Sequence, residues 1–205
     1  LVGEKGHEES IKFGLVGCIA HPEVDMTKVN YSKQAWTAQP TQCISYVSCH
    51  DDMMLTDRLK SNKKLRPGEL QKLSKLAQTA VLTSQGMPFL WCGEEIARDK
   101  KGVHNSYCSP DDINAIDWSL KAKNIDLFRY YQGLIALRKA HPAFHMGDAE
   151  LVRQHVHFLP TKEGVVAWEL NGEAVGDTWK RIVVILNGQE RSTQVTLPEG
   201  VFRFA

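Results

Sequence analysis

The order of elements between residues 43 and 95 constrains this chain more than any other feature. Residues 43–49 carry the β-formers Ile44, Tyr46 and Val47 and stop at His50-Asp51-Asp52. Residues 66–85 read as a helix: Pro67 suits its first turn, Leu70, Leu73, Leu76, Ala77, Ala80 and Val81 recur at helical spacing, and Gly86 is placed to end it. Residues 87–91 (MPFLW) are an apolar run without alternation, which suits a strand buried on both faces, and Cys92-Gly93-Glu94-Glu95 follows. Strand, helix, strand, each strand ending in polar residues, is the order of a parallel βαβ unit. Such a unit carries its site at the carboxyl ends of the strands.

The flanking segments extend this reading. Residues 8–16 suit a short helix with Ile11, Leu15 and Val16 on one face, and residues 20–42, with Pro22 and Pro40, read as a long loop. Residues 96–119 form a second polar loop. Ile125, Phe128, Tyr131, Leu134 and Ile135 mark a helix that tolerates Gly133 and stops at Pro142. Beyond residue 147 the character changes to β-rich runs at 151–158, 165–170, 181–186 and 193–197, separated by turn residues such as Gly164, Gly172 and Asn187-Gly188. Short strands at that spacing predict an antiparallel sheet or sandwich. The expected division is 1–147 and 148–205.

Composition excludes several functions. The 25 basic and 24 acidic residues give a formal net charge of +1, which offers no electrostatic case for nucleic acid or an anionic membrane. No apolar run approaches the ~20 residues of a membrane span. Lys63, Lys64 and Arg66 read as a solvated helix entrance. The opening residues lack Met and a signal core, so residue 1 reads as an internal point of a longer protein and the compartment stays open between cytoplasmic, periplasmic and secreted. Cys18, Cys43, Cys49, Cys92 and Cys108 are odd in number and irregular in spacing, which suits buried or partly buried free thiols.

Three constellations carry chemistry. A carboxylate at the His50-Asp51-Asp52 strand end can stabilise developing positive charge, and its His neighbour can hydrogen-bond hydroxyls. A polar strand end meeting solvent is the plainer alternative, and a metal site or a metal-dependent phosphohydrolase is a further one. Glu94-Glu95 could serve acid–base work, but neighbouring strand residues point to opposite faces, so a salt bridge to Arg98 or Lys100 is the expected role. The loop 100–118 is polar with aromatic residues, a composition that suits sugars, although Tyr107 and Trp118 equally suit packing anchors. His141, His145, His155 and His157 read as structural or surface residues. No phosphate loop, nucleophile elbow or cofactor motif occurs, so no cofactor and no resident metal are expected.

These residues resemble a known family. Residues 44–51, ending in His50-Asp51, resemble the seventh-strand motif of the α-amylase superfamily, glycoside hydrolase family thirteen, and residues 86–95 resemble its eighth-strand segment. The stretch with Asn105-Ser106-Tyr107, Ser109-Pro110-Asp111 and Ile113-Asn114 is similar to a loop of type I pullulanases, and residues 134–144 resemble the last barrel helix. The resemblance implies the C-terminal portion of a (β/α)8 barrel followed by an all-β sandwich. It implies retaining hydrolysis of α-1,6 branch points in pullulan, glycogen or starch, with an α-glucan as partner. Asp51 corresponds to the carboxylate that orients the sugar and stabilises the transition state, His50 to the residue that binds sugar hydroxyls, and Asn105 and Tyr107 fall near the substrate cleft.

The chain departs from that pattern. Asp52 stands where these enzymes commonly have Asn, and Met54 and Thr56 replace an expected Thr and Trp. A retaining glycosidase needs two carboxyl groups roughly 5–5.5 Å apart. In this family both lie a hundred or more residues before the His-Asp motif, and 49 residues precede His50 here. The expectation is therefore a segment without nucleophile or general acid, inactive alone and completed by the missing N-terminal part of the same enzyme. Alternatives are an isoamylase, a branching enzyme, a neopullulanase, or a non-catalytic glucan-binding module.

Overall fold

The computed structural model of the protein describes residues 4–62 and 64–205. Residues 1–3 of the opening stretch and Lys63 of the basic cluster lie outside the described residues. Helix α1 (Glu8–Leu15) forms with Glu8 and Glu9 at its positive end and Phe13 and Leu15 buried. The predicted loop 20–42 is irregular apart from single 3-10 turns at Met26–Lys28 and Pro40–Gln42. Strand β1 (Ile44–Ser45) leads into α2 (Leu55–Asn62), which goes beyond the sequence expectation: Leu55 and Leu59, one turn apart, are both buried. Helix α3 (Glu69–Leu82) starts after Gly68, which takes the left-handed conformation at φ 75°. The Glu69 carboxylate accepts the Arg66 main-chain N–H at 2.9 Å and holds the Arg66 guanidinium.

Strand β2 (Met87–Pro88) pairs with β1 in parallel, so the βαβ order predicted from the sequence is present. Both strands are shorter than predicted, at two residues each. The burial on both faces expected of residues 87–91 also fails, since Met87 and Phe89 are exposed, as are Ile44 on the neighbouring strand and Tyr46 just after it. A two-stranded parallel pair has one free edge on each strand and no second layer among the described residues to cover those side chains. Gly86 was expected to end α3, but the helix has already stopped at Leu82. Its role is close approach: a Cβ there would lie 2.6 Å from Ser45 Oγ and 3.0 Å from Cys43 O. The absence of a side chain lets β2 enter beside β1.

Residues 96–119 contain the short helices α4 (Asp111–Asn114) and α5 (Ser119–Lys123). Helix α6 (Ile125–Ala140) then packs on α3 and buries Leu127, Tyr131 and Leu134. Its Arg138 is buried and pairs with no carboxylate among the described residues. The guanidinium donates to the carbonyls of Leu82 (3.0 Å), Ser84 (2.6 Å), Gly86 (2.8 Å) and Phe144 (2.8 Å). Burial lowers its pKa to about 10, which still leaves it cationic at neutral pH.

The run 151–158 was predicted as a strand. Most of it is helix α7 (Ala149–His155), followed by β3 (Val156–Phe158). Asp148 explains the difference: its side chain accepts the N–H groups of Glu150 and Leu151, an N-cap, and buried Ala149 and Val152 follow at helical spacing. Strands β4 (Val165–Asn171) and β5 (Arg181–Asn187) match their predicted runs and complete an antiparallel sheet in the order β3-β4-β5. The run 193–197 alternates but takes no place in the sheet, because alternation marks a face and does not supply a hydrogen-bonding neighbour.

The main core joins the two ends of the sequence. Phe13, Ile19 and Val29 from the first segment pack with Phe144, Val152, Trp168, Leu170 and Ile182. A polar joint reinforces it: His141 Nδ1 lies 2.7 Å from Asp177 Oδ1, and Asp177 also accepts the N–H groups of Ala143 and Trp179. Five free thiols are present, but Cys92 and Cys108 are exposed, against the expectation of burial. They fall in the loop region, where the chain has no layer above it.

Replacing Arg138 with Met keeps the side-chain bulk and leaves the carbonyls without a donor. We expect the urea unfolding midpoint to fall by the equivalent of about 3–5 kcal/mol, since each buried group left unpaired costs about 1–3 kcal/mol. A loss below about 1 kcal/mol would show that water replaces the guanidinium.

Candidate functional site

The chain after β1 turns outward at residues 46–49 and places His50 and Asp51 on the surface, with side chains 72% and 74% exposed. His50 Nε2 is 3.4 Å from Asp51 Oδ2, and its ring lies 6.3 Å from that of Trp91, beyond the end of β2. The two predicted residues therefore sit together at a strand end, free to meet a ligand. The sequence motif did not point to Trp91 as a neighbour of His50.

Asp52 adopts a left-handed backbone at φ 63°, a conformation that Asp and Asn tolerate better than other side chains. The turn explains why either residue type serves at this position. The main-chain N–H of Met53, and then the nearby Arg58 and His104, hold its carboxyl below the usual carboxylate range. Arg58 pairs directly with one oxygen, and His104 Nδ1 lies 2.6 Å from the other. This second contact brings the 101–118 loop to the strand end. Met54 and Thr56, the other departures from the family pattern, are buried beneath it and contribute packing.

A buried carboxylate shapes the same loop. Asp57, on α2, accepts the N–H of Lys100 at 2.7 Å and of Gly102 at 2.8 Å. Lys100 turns inward, donates to Ser106 Oγ at 2.6 Å and stands 5.8 Å over the Trp91 ring. Burial, then the charge of Arg98, lowers its pKa against the pull of Asp57. Asn114 Nδ2 donates to the carbonyls of Ser106 and Ser109. Arg98 is packed over Gly93, where a Cβ would lie 2.6 Å from its Cδ, and donates to the Cys92 and Asn114 carbonyls. The loop is thus tied at four places. Asn105 and Tyr107 project from it into solvent, and Tyr107 and Trp118 are too exposed to be packing anchors. Among the described residues, no hydrogen bond joins Asn105 or Tyr107 to His50 or Asp51.

Glu94 behaves differently from the sequence expectation. Neither it nor Glu95 forms an ion pair with Arg98 or Lys100 among the described residues, because Arg98 is spent on main-chain carbonyls and Lys100 on Ser106. Glu94 is buried and accepts from Ser48 Oγ and from Gln78 Nε2 at 2.8 Å. Burial pushes its carboxyl up to about 7 despite those donors. Glu95 accepts the Gly93 N–H.

A concavity of about 640 Å³ lies elsewhere: Leu15, Cys18, Trp36, Tyr46, Leu55 and Leu76 are among its lining residues, and neither His50 nor Asp51 is. The exposed strand end is polar, and the concavity is lined mainly by apolar side chains.

Known proteins share this fold. Residues 152–204 match the family model described as the all-beta domain of pullulanase. The curated pullulanase of Bacillus subtilis (strain 168) is 36% identical over 165 residues, 80% of this chain and 23% of that protein. The crystal structure of the Bacillus acidopullulyticus pullulanase superposes with a TM-score of 0.85 at 38% identity, over 97% of this chain and 23% of the other. The Paenibacillus barengoltzii pullulanase, in complex with maltohexaose and alpha-cyclodextrin, gives a TM-score of 0.87 at 36% identity, over 96% of this chain and 29% of the other. The chain spans about a quarter of the length of these relatives. Fold and matched segments first define the class, that of the glycoside hydrolases. Within it, the chain belongs to the pullulanase family.

Removing the Asp57 carboxylate tests how the loop is held. Asp57→Ala leaves two main-chain N–H groups without their acceptor, at an expected cost of about 2–4 kcal/mol. Limited proteolysis should then cut within residues 100–110 at least about tenfold faster, following the free energy of local opening. Unchanged cutting would mean that the Asn114, Arg98 and Asp52–His104 ties suffice.

Proposed function

We propose that these residues form the C-terminal part of a debranching glycoside hydrolase that cleaves α-1,6-glucosidic bonds of pullulan, glycogen or starch with retention. In this reading residues 1–147 supply the seventh and eighth strands and last helices of a (β/α)8 barrel, and residues 148–205 supply the all-β C-terminal domain. The observation that carries it is the superposition on a pullulanase described with maltohexaose, together with a His50–Asp51 strand end whose side chains are exposed to solvent.

Asp51 is the carboxylate that stabilises the positive charge developing on the sugar, and His50 donates hydrogen bonds to hydroxyls beside it. Asn105 and Tyr107 face the cleft from the loop that His104 and Asp52 hold in place. Neither of the two reacting carboxyl groups is supplied here. Asp52 is engaged by Arg58 and His104, and Glu94 is buried, so among the described residues neither neighbour offers a second free carboxyl to Asp51. The nucleophile and the acid come from the preceding part of the barrel, and these 205 residues do not cleave glucan alone.

Reducing-end release from pullulan tests the proposal. The complete enzyme should yield maltotriose. Its Asp51→Asn variant should be slower by about 10²–10³-fold, the scale of losing one transition-state electrostatic contact. The isolated chain should be inactive. Cleavage of amylose with pullulan untouched would keep the family and overturn the α-1,6 assignment.

A further inference from the structure

We propose that Glu94 is a positioning residue for the His50–Asp51 strand end: a buried carboxyl that, in its protonated form, fastens Ser48 to α3. This rests on the reading of His50 and Asp51 given above.

The placement is specific. Glu94 is 2% exposed, at the first position of the 3-10 turn that follows β2. One oxygen takes the hydroxyl of Ser48, two residues before His50, and the other faces the side-chain amide of Gln78 on α3. The groups around it are Glu95 on the same turn, Tyr131 on α6, Gln78 on α3, Ser48 after β1 and the main-chain N–H of Trp91. None is a cation, and Glu95 adds a like charge. A buried carboxylate without a cation is costly, and neutralisation is the usual escape.

Two orphaned atoms point the same way. With Gln78 Nε2 turned to Glu94, Gln78 Oε1 is buried without a partner, and so is the Tyr131 hydroxyl beside that amide. The two ends of an amide are interchangeable in shape. Exchanging them sets Oε1 at 2.8 Å from the Glu94 oxygen, where it accepts the proton of a neutral carboxyl. The ionised form can only accept, so it keeps Nε2 turned toward it and leaves Gln78 Oε1 buried without a partner. Loss of the proton therefore leaves a charge beside Glu95 in a site closed to water, and the segment 46–49 must open to hydrate it.

The expected result is a pH-dependent release of residues 46–52 that Glu94→Gln abolishes. Hydrogen exchange would be measured on the purified protein from pH 5.5 to 8.5, with each amide compared between wild type and variant at the same pH. The wild-type to variant rate ratio over residues 46–52 should rise about tenfold as Glu94 ionises. Ser48→Ala should raise the exchange at low pH as well, which separates loss of the tie from loss of the proton. A ratio that stays flat across this range would overturn the proposal. In the complete enzyme, the decline of pullulan kcat/KM above neutral pH should shift upward in Glu94→Gln while the acidic limb stays in place. If pullulan is not a substrate but the exchange ratio rises, the assigned function fails and the positioning role of Glu94 stands. If activity is present and both variants follow wild type, the reverse holds.

Discussion

The Arg138 guanidinium is the fixed point on which the α/β half depends. Burying a cation is costly, and here four main-chain carbonyls, not a carboxylate, offset that cost. Those carbonyls come from the end of α3, the entry to β2 and the turn after α6. One side chain thus fixes where the helix stops, where the strand begins and how the chain returns. Gly86 completes the arrangement, because any side chain there would strike Ser45. With β2 set at its start, its far end delivers Trp91, Gly93 and Glu94 beside the strand end that carries His50 and Asp51.

The site itself is built from carboxyl groups in three different environments. Asp57 is buried on two main-chain N–H groups and shapes the 100–102 turn. Asp52 is exposed between Arg58 and His104 and ties the long loop to the strand end. Glu94 is buried without a cation and ties Ser48 to Gln78. Each has its valences filled by structure. Asp51, by contrast, meets only the neighbouring His50 ring, at 3.4 Å, and remains available to solvent. An available carboxylate beside committed ones suits the charge-stabilising role proposed for Asp51, because the field at that point is set before a ligand arrives.

The sequence carried the elements whose signal is periodic. The 3.6-residue spacing of α3 and α6 and the β-branched runs of β4 and β5 predicted their places within a few residues. It did not carry α7, because 151–158 holds enough β-formers to imitate a strand and only the Asp148 cap overrides them. The His50–Asp51 pair was readable as a motif. The Asp52–His104 contact was not, since it spans a long sequence separation and no motif links the strand-end Asp52 to His104 in the loop. Glu94 misled for a related reason: a Glu-Glu pair near Arg98 and Lys100 reads as an ion-pair network. The cations instead turned to carbonyls and a hydroxyl, which the order of residues does not encode.

The two halves of the chain are held by different physics. Around β1 and β2, short strands with exposed apolar side chains give little burial, and directional polar anchors define the geometry. Around the antiparallel sheet, Trp168, Leu170, Val156 and Ile182 bury fully or nearly so against Phe13, Ile19 and Phe144. Apolar packing is non-directional and sets stability more than position. The His141–Asp177 joint connects the regimes. Burial acts to raise the Asp177 carboxyl, but the His141 contact and the N–H groups of Trp179 and Ala143 outweigh it and hold it below its usual value. A depressed carboxyl contributes stability above its unfolded pKa and loses it as the pH falls through the folded one. Glu94 has the opposite sign, losing stability as the pH rises through its ionisation. The sheet joint therefore weakens toward acid and the site tie toward base, so the condition in which both hold lies between them.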